Sequence, residues 1–319
     1  MPSTFKGRDM ITLQDYSGEE IWRILYTARE LKNRDKIGDM PRILEGKVVA
    51  LIFENRSTRT RASFEAGVAK LRGHPMYVWM ETAQVARGEP SKDAIRVWTR
   101  YADAIVLRAL EPFKGHQRLL ECADLADVPV INASTDLHHP CQALADFLTI
   151  WEKKGTLHGL KLAYSGIVGH GAGTSNEFLV ACPKLGMDVA IGVPEGYANM
   201  NQQVFGWAQE NARKSGTQIT IAHDIYEAVE NADIVYTDEW ASTGFFEERQ
   251  TRIEAYHGFT ITNEVMGHAK PDAIYMHCLP AVRGEEVAEE VLEGPQSVIW
   301  DEAENRLHVQ NAVMGLLIP

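Results

Sequence analysis

The stretch KVVALIF at residues 47–53, followed by ENRSTRTR at 54–61 and ASFEAGVAKL at 62–71, decides how this chain folds. The first run is apolar at nearly every position, the pattern of a strand buried on both faces. Apolar residues then recur at three- and four-residue spacing over 59–71, which predicts a helix. A fully buried strand running into a helix opens a β-α-β unit, and such units build parallel sheets covered on both faces. Between the two lie the hydroxyls of Ser57, Thr58 and Thr60 and the guanidinium groups of Arg56, Arg59 and Arg61. They gather where a helix begins, and there the unpaired N–H groups and the helix dipole favour an anion such as phosphate. A Ser-Thr pair by itself is an ordinary N-cap. Three arginines within six residues of an acidic protein shift the reading toward an anion site.

The same alternation continues on either side. Strands are expected at 47–53, 75–79, 104–108, 129–132, 160–168, 188–192, 218–222, 234–237, 273–277 and 297–300. Helices are expected at 18–31, 59–71, 90–100, 142–153, 201–214 and 225–230, with a closing amphipathic segment at 304–317. This is an α/β chain with two doubly wound parallel-sheet domains. The helix at 142–153 ends in Lys154-Gly155-Thr156, after which the strand-helix pattern restarts. The domains are therefore placed at 1–154 and 155–303, with 304–319 a terminal helix long enough to return to the first. Ligands of open parallel sheets bind beyond the carboxyl ends of strands, so the residues just after each strand are the ones to inspect.

Composition narrows the class. The 319 residues are 45% hydrophobic and 24% charged, with 32 Lys plus Arg against 44 Asp plus Glu, a formal charge of −12. That balance belongs to a folded globular protein and disfavours a nucleic-acid or anionic-membrane surface. Mean hydropathy is −0.23, and no apolar run approaches the roughly 20 residues of a membrane span. The opening MPSTFKGRDMITLQD has neither the apolar core of a secretory signal nor the Arg-rich character of a transit peptide, so the chain reads as cytoplasmic. Cys122, Cys141, Cys182 and Cys278 are far apart, which argues against a zinc ribbon or a disulfide framework.

Other expected strand ends carry reactive groups. Arg108 closes the run at 104–108. His139-Pro140-Cys141-Gln142 stands before a helix, where His139 and Gln142 can donate to a carbonyl oxygen and Pro140 suits the first turn. His277-Cys278-Leu279-Pro280 presents a thiol beside backbone carbonyls. Taken singly, each has a plain structural reading: a salt-bridged Arg, a cap, a buried Cys. The glycines Gly169, Gly171 and Gly173 do not make a dinucleotide-binding turn, because position 174 is Thr.

Together these pieces have the order and residue types of one family. Phe53-Glu54 with Ser57-Thr58-Arg59-Thr60-Arg61, His139-Pro140-Cys141-Gln142 with Leu144-Ala145-Asp146, and His277-Cys278-Leu279-Pro280 resemble the carbamoyltransferases of the ornithine type. Gln84 with Arg87-Gly88-Glu89, Asp238 with Trp240 and Ser242-Thr243-Gly244, and Asp301 with Glu304-Asn305-Arg306 extend the likeness from about Gly7 to Met314. Aspartate-type relatives carry Thr in place of Cys141 and Pro-Leu-Pro in place of the Cys278 motif, so these two cysteines choose the branch.

The resemblance implies transfer of a carbamoyl group from carbamoyl phosphate to a small amine, in a cleft between a carbamoyl-phosphate domain and an acceptor domain, with no metal or redox cofactor. It implies that Ser57, Thr58, Arg59 and Thr60 hold phosphate. Arg108, His139 and Gln142 would polarise the carbonyl, and Cys278, the Leu279 carbonyl and Arg306 would position the carbamoyl group and the amine. It also implies a homotrimer, or a multiple of trimers, in which the loop bearing Gln84 reaches a neighbour's site. Asp238, Ser242 and Thr243 fall at acceptor positions.

The departures fall on the acceptor side. Ornithine-type enzymes have Gly-Asp-Gly-Asn-Asn after the second domain's first strand, the second Asn holding the amino-acid carboxylate. Here the turn is Gly169-His170-Gly171-Ala172-Gly173, the Ser-Met-Gly loop is Ser242-Thr243-Gly244, and the usual Lys-Pro is Asn55-Arg56. His170 and the backbone at Gly173 are the remaining acceptor candidates at the turn. Ornithine is the nearest precedent. Lysine, a shorter diamino acid or a diamine is the alternative within enzymes, and a binding protein without turnover is the alternative outside them.

Overall fold

The computed structural model describes residues 5–241 and 248–319. The chain forms two compact units, 1–145 with 304–319 and 146–303. The change of unit falls inside the helix that follows the fourth strand, ahead of the turn at 154–156.

The first unit begins with helix α1 (Gly18–Lys36), started by a capping box in which Ser17 Oγ accepts from Glu20 N–H and Glu20 accepts from Ser17 N–H. Strand β1 (Val48–Phe53) follows, then α2 (Arg59–Lys70), β2 (His74–Trp79), α3 (Ser91–Tyr101), β3 (Ala104–Ala109), α4 (Gly115–Leu125), β4 (Val130–Thr135) and α5 (Pro140–Lys154). The strands lie parallel in the order β2-β1-β3-β4. The apolar run of β1 is central and buried on both faces, and Ile52 packs in one core with Ile105, Leu107 and Val130. The connection from β1 runs to β2 on one side, and the next, from β2, crosses past β1 to β3 on the other. That reversal is a topological switch point, where strand ends open a crevice.

Helix α4 was not expected from its sequence, and its start explains why. Lys114 at its N-cap makes no side-chain cap. Asp136, beyond β4, accepts instead from Phe113 N–H at 2.9 Å and His116 N–H at 2.8 Å. A cap supplied from a different loop leaves no local signature.

The second unit holds β5 (Lys161–Ser165), α6 (Gly173–Lys184), β6 (Asp188–Gly192), α7 (Gln202–Ser215), β7 (Ile219–Ala222), α8 (Ile225–Val229) and β8 (Ile234–Thr237). It continues with α9 (Arg249–Ala255), α10 (Asn263–Met266), β9 (Ile274–His277) and α11 (Glu289–Leu292). Its sheet is parallel in the order β7-β6-β5-β8-β9, with the switch point between β5 and β8. Helix α6 is likewise absent from the elements expected from sequence. Every residue from Thr174 to Pro183 is buried, so it has no polar face to reveal a helical period.

Two strand expectations are corrected. The run at 160–168 ends as a strand at Ser165, because Gly166 turns the chain and sits too close to Asp238 for any side chain: a Cβ there would meet the Asp238 carbonyl oxygen at 3.0 Å and the Tyr164 hydroxyl at 2.9 Å. The segment at 297–300 is not a strand. Val298 N–H donates to Tyr275 O in an isolated bridge beside β9, and the chain then enters α12 (Ile299–Leu317). No helix among the described residues is long and apolar enough to cross a membrane.

Candidate active site

In the first unit the sheet's carboxyl edge is cationic. At the head of α2, Thr58 is the N-cap residue but makes no side-chain cap. The Ser57 and Thr58 hydroxyls have no hydrogen-bond partner among the described residues, which removes the plain capping reading and leaves these donors open to a ligand. Thr60 is buried and accepts from Arg306 at 3.0 Å, while the same guanidinium donates to Gln142 Oε1. Arg306 on α12 thus ties the first turn of α2 to the first turn of α5. Arg108, at the end of β3, donates to Ala133 O at 3.2 Å, and its own carbonyl accepts from Glu54 N–H at 3.0 Å. Asn55 accepts from Leu110 N–H at 2.8 Å and so braces the end of β1 against the end of β3. Arg61 is occupied, 3.0 Å from Glu65 and stacked on Tyr77 at 3.5 Å from the ring centre.

His139 lies among these groups. Burial first, then the Arg306, Arg108 and Arg59 guanidinium charges, hold its imidazole well below the usual range. It is neutral at physiological pH, able to donate one N–H. Its loop is fixed from behind by Asn132, whose amide donates to His138 O at 3.2 Å and Ile11 O at 2.8 Å. The Asn132 carbonyl accepts from Ser134 N–H at 2.9 Å, securing a residue at φ +119°.

In the second unit the corresponding edge is acidic. Asp238 follows β8, with its N–H on Ser165 O at 3.1 Å, and Cys278 follows β9 and donates to Asp238 Oδ1 at 3.1 Å. Burial pushes the Cys278 thiol well up, the Asp238 charge adds to the effect, and burial raises the Asp238 carboxyl too. Cys278 is therefore a thiol, not a thiolate. The turn after β5 is held from beneath: Tyr256 donates to Gly166 O at 2.8 Å, Tyr164 to Ile167 O at 2.9 Å, and Asn176 to Gly169 O at 2.8 Å. Ser175 donates to Ile167 O or Ala172 O, at 3.2 Å each. Gly169 has φ +80°, and a Cβ there would lie 2.1 Å from Asn199 O. Only glycine fits.

The structure thus brings Thr60, Gln142 and Arg306 into direct contact and sets His139 amid three arginines. It joins Asp238 to Cys278, with Leu279 next in the chain. Gln84 is exposed at the head of the turn Gln84–Arg87 and makes no side-chain hydrogen bond among the described residues. His170 is half-buried, with Nε2 3.5 Å from the Asn201 amide, and Gly173 is the first residue of α6. Ser242 and Thr243 lie outside the described residues. The sequence reading assigned no part to Asn132, Ser175, Asn176 or Tyr256, which work through backbone carbonyls and carry no motif of their own. Among the described residues no cluster of three His, Cys, Asp or Glu side chains is arranged to hold a metal ion.

Comparison with known proteins places this geometry. Residues 8–152 match the family model described as the carbamoyl-P binding domain of aspartate/ornithine carbamoyltransferase, and residues 158–317 match its Asp/Orn binding domain. An ornithine carbamoyltransferase of Pyrococcus abyssi is 48% identical over 318 residues, covering 100% of this chain and 98% of that protein. The solved ornithine carbamoyltransferase of Pyrococcus furiosus superposes with a TM-score of 0.92 at 47% identity, over 99% of this chain and 98% of that one. A solved N-acetyl-L-ornithine transcarbamylase variant is 30% identical with a TM-score of 0.87, over 98% of this chain and 100% of that one. With both domain models matched and such relatives along its whole length, the chain belongs to the aspartate/ornithine carbamoyltransferase family.

Proposed function

We propose that the chain transfers the carbamoyl group of carbamoyl phosphate to L-ornithine, giving L-citrulline and phosphate. The observation that carries this reading is the cationic edge of the first unit, where open hydroxyls at the head of α2 stand beside the Arg306–Thr60–Gln142 contact and a neutral His139. Ser57, Thr58, Arg59 and Thr60 bind the phosphate group. Arg108, His139 and Gln142 donate to the carbonyl oxygen, on which negative charge grows as the amine attacks the carbon. A neutral imidazole suits that role, because it offers one N–H hydrogen bond to the oxyanion without adding a further positive charge beside the arginines. The carbon–oxygen bond to phosphate then breaks, the departing phosphate takes the proton that the amine nitrogen loses, and its remaining charge stays in the cationic cradle. On the acceptor side, Asp238 pairs with the cationic amino group not under attack, and Cys278, kept protonated, orients that carboxylate. The Leu279 carbonyl and Arg306 position the carbamoyl group and the amine.

A second reading, the same chemistry on another amine, is favoured by the turn at 169–173, which lacks both asparagines. Its carboxylate donors reduce to backbone N–H groups and His170. The test is kcat/KM for ornithine against lysine, diaminopropionate, diaminobutyrate, putrescine and agmatine, with carbamoyl phosphate as co-substrate. Ordinary efficiency on ornithine supports the first reading, preference for another amine supports the second, and no ureido product with any amine overturns both.

The family precedent extends to a homotrimer acting in the cytoplasm, with Gln84 completing a neighbour's site. Mixing inactive Gln84→Ala and Arg59→Ala subunits restores activity if the two residues meet across an interface. No recovery after confirmed subunit exchange refutes the sharing.

A further inference from the structure

We propose that His277 and Glu286 are positioning residues, an imidazole–carboxylate bracket that sets Cys278 and the Leu279 peptide for carbamoyl transfer; this rests on the transfer reading above. His277 closes β9 and its ring is fully buried, as is Glu286. Leu279 N–H donates to His277 Nδ1 at 2.8 Å, so that nitrogen must offer its lone pair. The ring proton then sits on Nε2, 3.1 Å from Glu286 Oε1. The same carboxylate oxygen accepts from Val282 N–H at 2.5 Å. One buried pair therefore pins the loop after β9 at two places, Leu279 and Val282.

The loop has reason to need it. Leu279 has φ +59°, in the left-handed region that a leucine seldom enters and that surrounding bonds must hold. The flanking framework is itself anchored: His277 N–H donates to Glu302 at 3.0 Å, and Ile261 N–H donates to Glu286 O at 3.0 Å. With the Leu279 peptide fixed, Cys278 keeps its 3.1 Å contact to Asp238. Each link in the chain from Glu286 through His277 and Leu279 to Cys278 is a hydrogen bond or a peptide bond. A buried carboxylate is costly to keep where an apolar side chain would pack, which marks Glu286 as held for something other than the core.

The experiment compares Glu286→Gln, Glu286→Ala and His277→Asn in the full-length protein. The Gln carbonyl can accept from both Val282 and His277, so Glu286→Gln should keep kcat within about threefold of wild type, whereas Glu286→Ala should lose roughly 10- to 100-fold through misplacement of the loop. The KM for carbamoyl phosphate, whose phosphate cradle is in the other unit, should change less than kcat in all three. A second readout needs no substrate. Cys122, Cys141 and Cys182 are buried and Cys278 is not, so the rate of iodoacetamide labelling at Cys278, followed by mass spectrometry, reports the loop directly. Labelling should quicken about tenfold in Glu286→Ala, as for a locally opened segment. His277→Asn, whose carbonyl can replace Nδ1 for Leu279 but not reach Glu286, should fall between. If Glu286→Ala does not fold, His277→Asn against Glu286→Gln decides by the same labelling. Wild-type labelling and turnover in the folded variants overturn the bracket, and so does an equal loss in Glu286→Gln and Glu286→Ala. If wild type transfers no carbamoyl group, the functional reading fails while the labelling still decides the bracket.

Discussion

The two sheet edges solve one problem with opposite signs. In the first unit, burial and then the three guanidinium groups around His139 make a further positive charge unfavourable, so the imidazole is held neutral. In the second, desolvation and then the charge of Asp238 beside the half-buried Cys278 make a second negative charge unfavourable, so the thiol is held neutral. Both edges thus keep a hydrogen-bond donor uncharged beside groups whose charge would suit one substrate: cations for a phosphate, a carboxylate for an ammonium group. They differ in how they are built. The cationic edge is made of side chains within short motifs, whereas the turn after β5 is backbone, propped by Tyr164, Tyr256, Ser175 and Asn176.

The contrast breaks first at the cationic edge. Replacing His139 or Arg108 with Ala should cut kcat by about 10²–10³, the cost of removing an oxyanion donor, measured as citrulline or other ureido product. Near-normal turnover in both variants removes them from the reaction. Next comes Arg59→Ala, expected to weaken carbamoyl-phosphate binding by about 1.5–3 kcal/mol, the worth of a charged hydrogen bond. Calorimetry with carbamoyl phosphate checks this, and an unchanged affinity sinks the cradle.

A smaller and more selective effect is expected at the other edge. Asn176→Ala removes the donor to Gly169 O, so the amine KM should rise by the equivalent of about 1 kcal/mol while carbamoyl-phosphate affinity stays put. A parallel loss of both would show that the turn serves the fold and not the acceptor. The mildest effect is on pH. Because the His139 pKa is lowered in the folded state, the unfolded chain binds the extra proton first as pH falls below the usual imidazole range near 6.5. Stability should decline with falling pH there, by at most about 1.36 kcal/mol per pH unit from this group. His139→Gln should flatten that slope in urea titrations at pH 5, 6 and 7, and an identical slope would place the imidazole's charge elsewhere.

Legibility followed the same division. Charged and polar groups directly after an apolar run are visible in one dimension, which makes Ser57–Thr60, Arg108, His139, Gln142 and Cys278 legible in the sequence, whereas Asp238 is legible only through the family resemblance. Helix α4 did not, because its cap comes from Asp136. Helix α6 did not, because burial on every side erases the period that a half-exposed helix shows. The segment at 297–300 resembled a strand because its apolar residues enter a buried bridge and then a helix start, two environments with one composition.

Alternating apolar and amphipathic segments determined the α/β class and parallel strands by themselves, since a strand buried on both faces needs helices to cover it. Short motifs at strand ends likewise determined the family and the donor chemistry. Tertiary structure alone decided what those groups are at neutral pH and what holds them. Protonation depends on burial and on charges brought together from distant segments: Arg306 beside Thr60 and Gln142, Asp238 beside Cys278. The supports are decided there too, because Asn132, Asn176, Tyr256 and Glu286 act through hydrogen bonds whose partners only folding supplies.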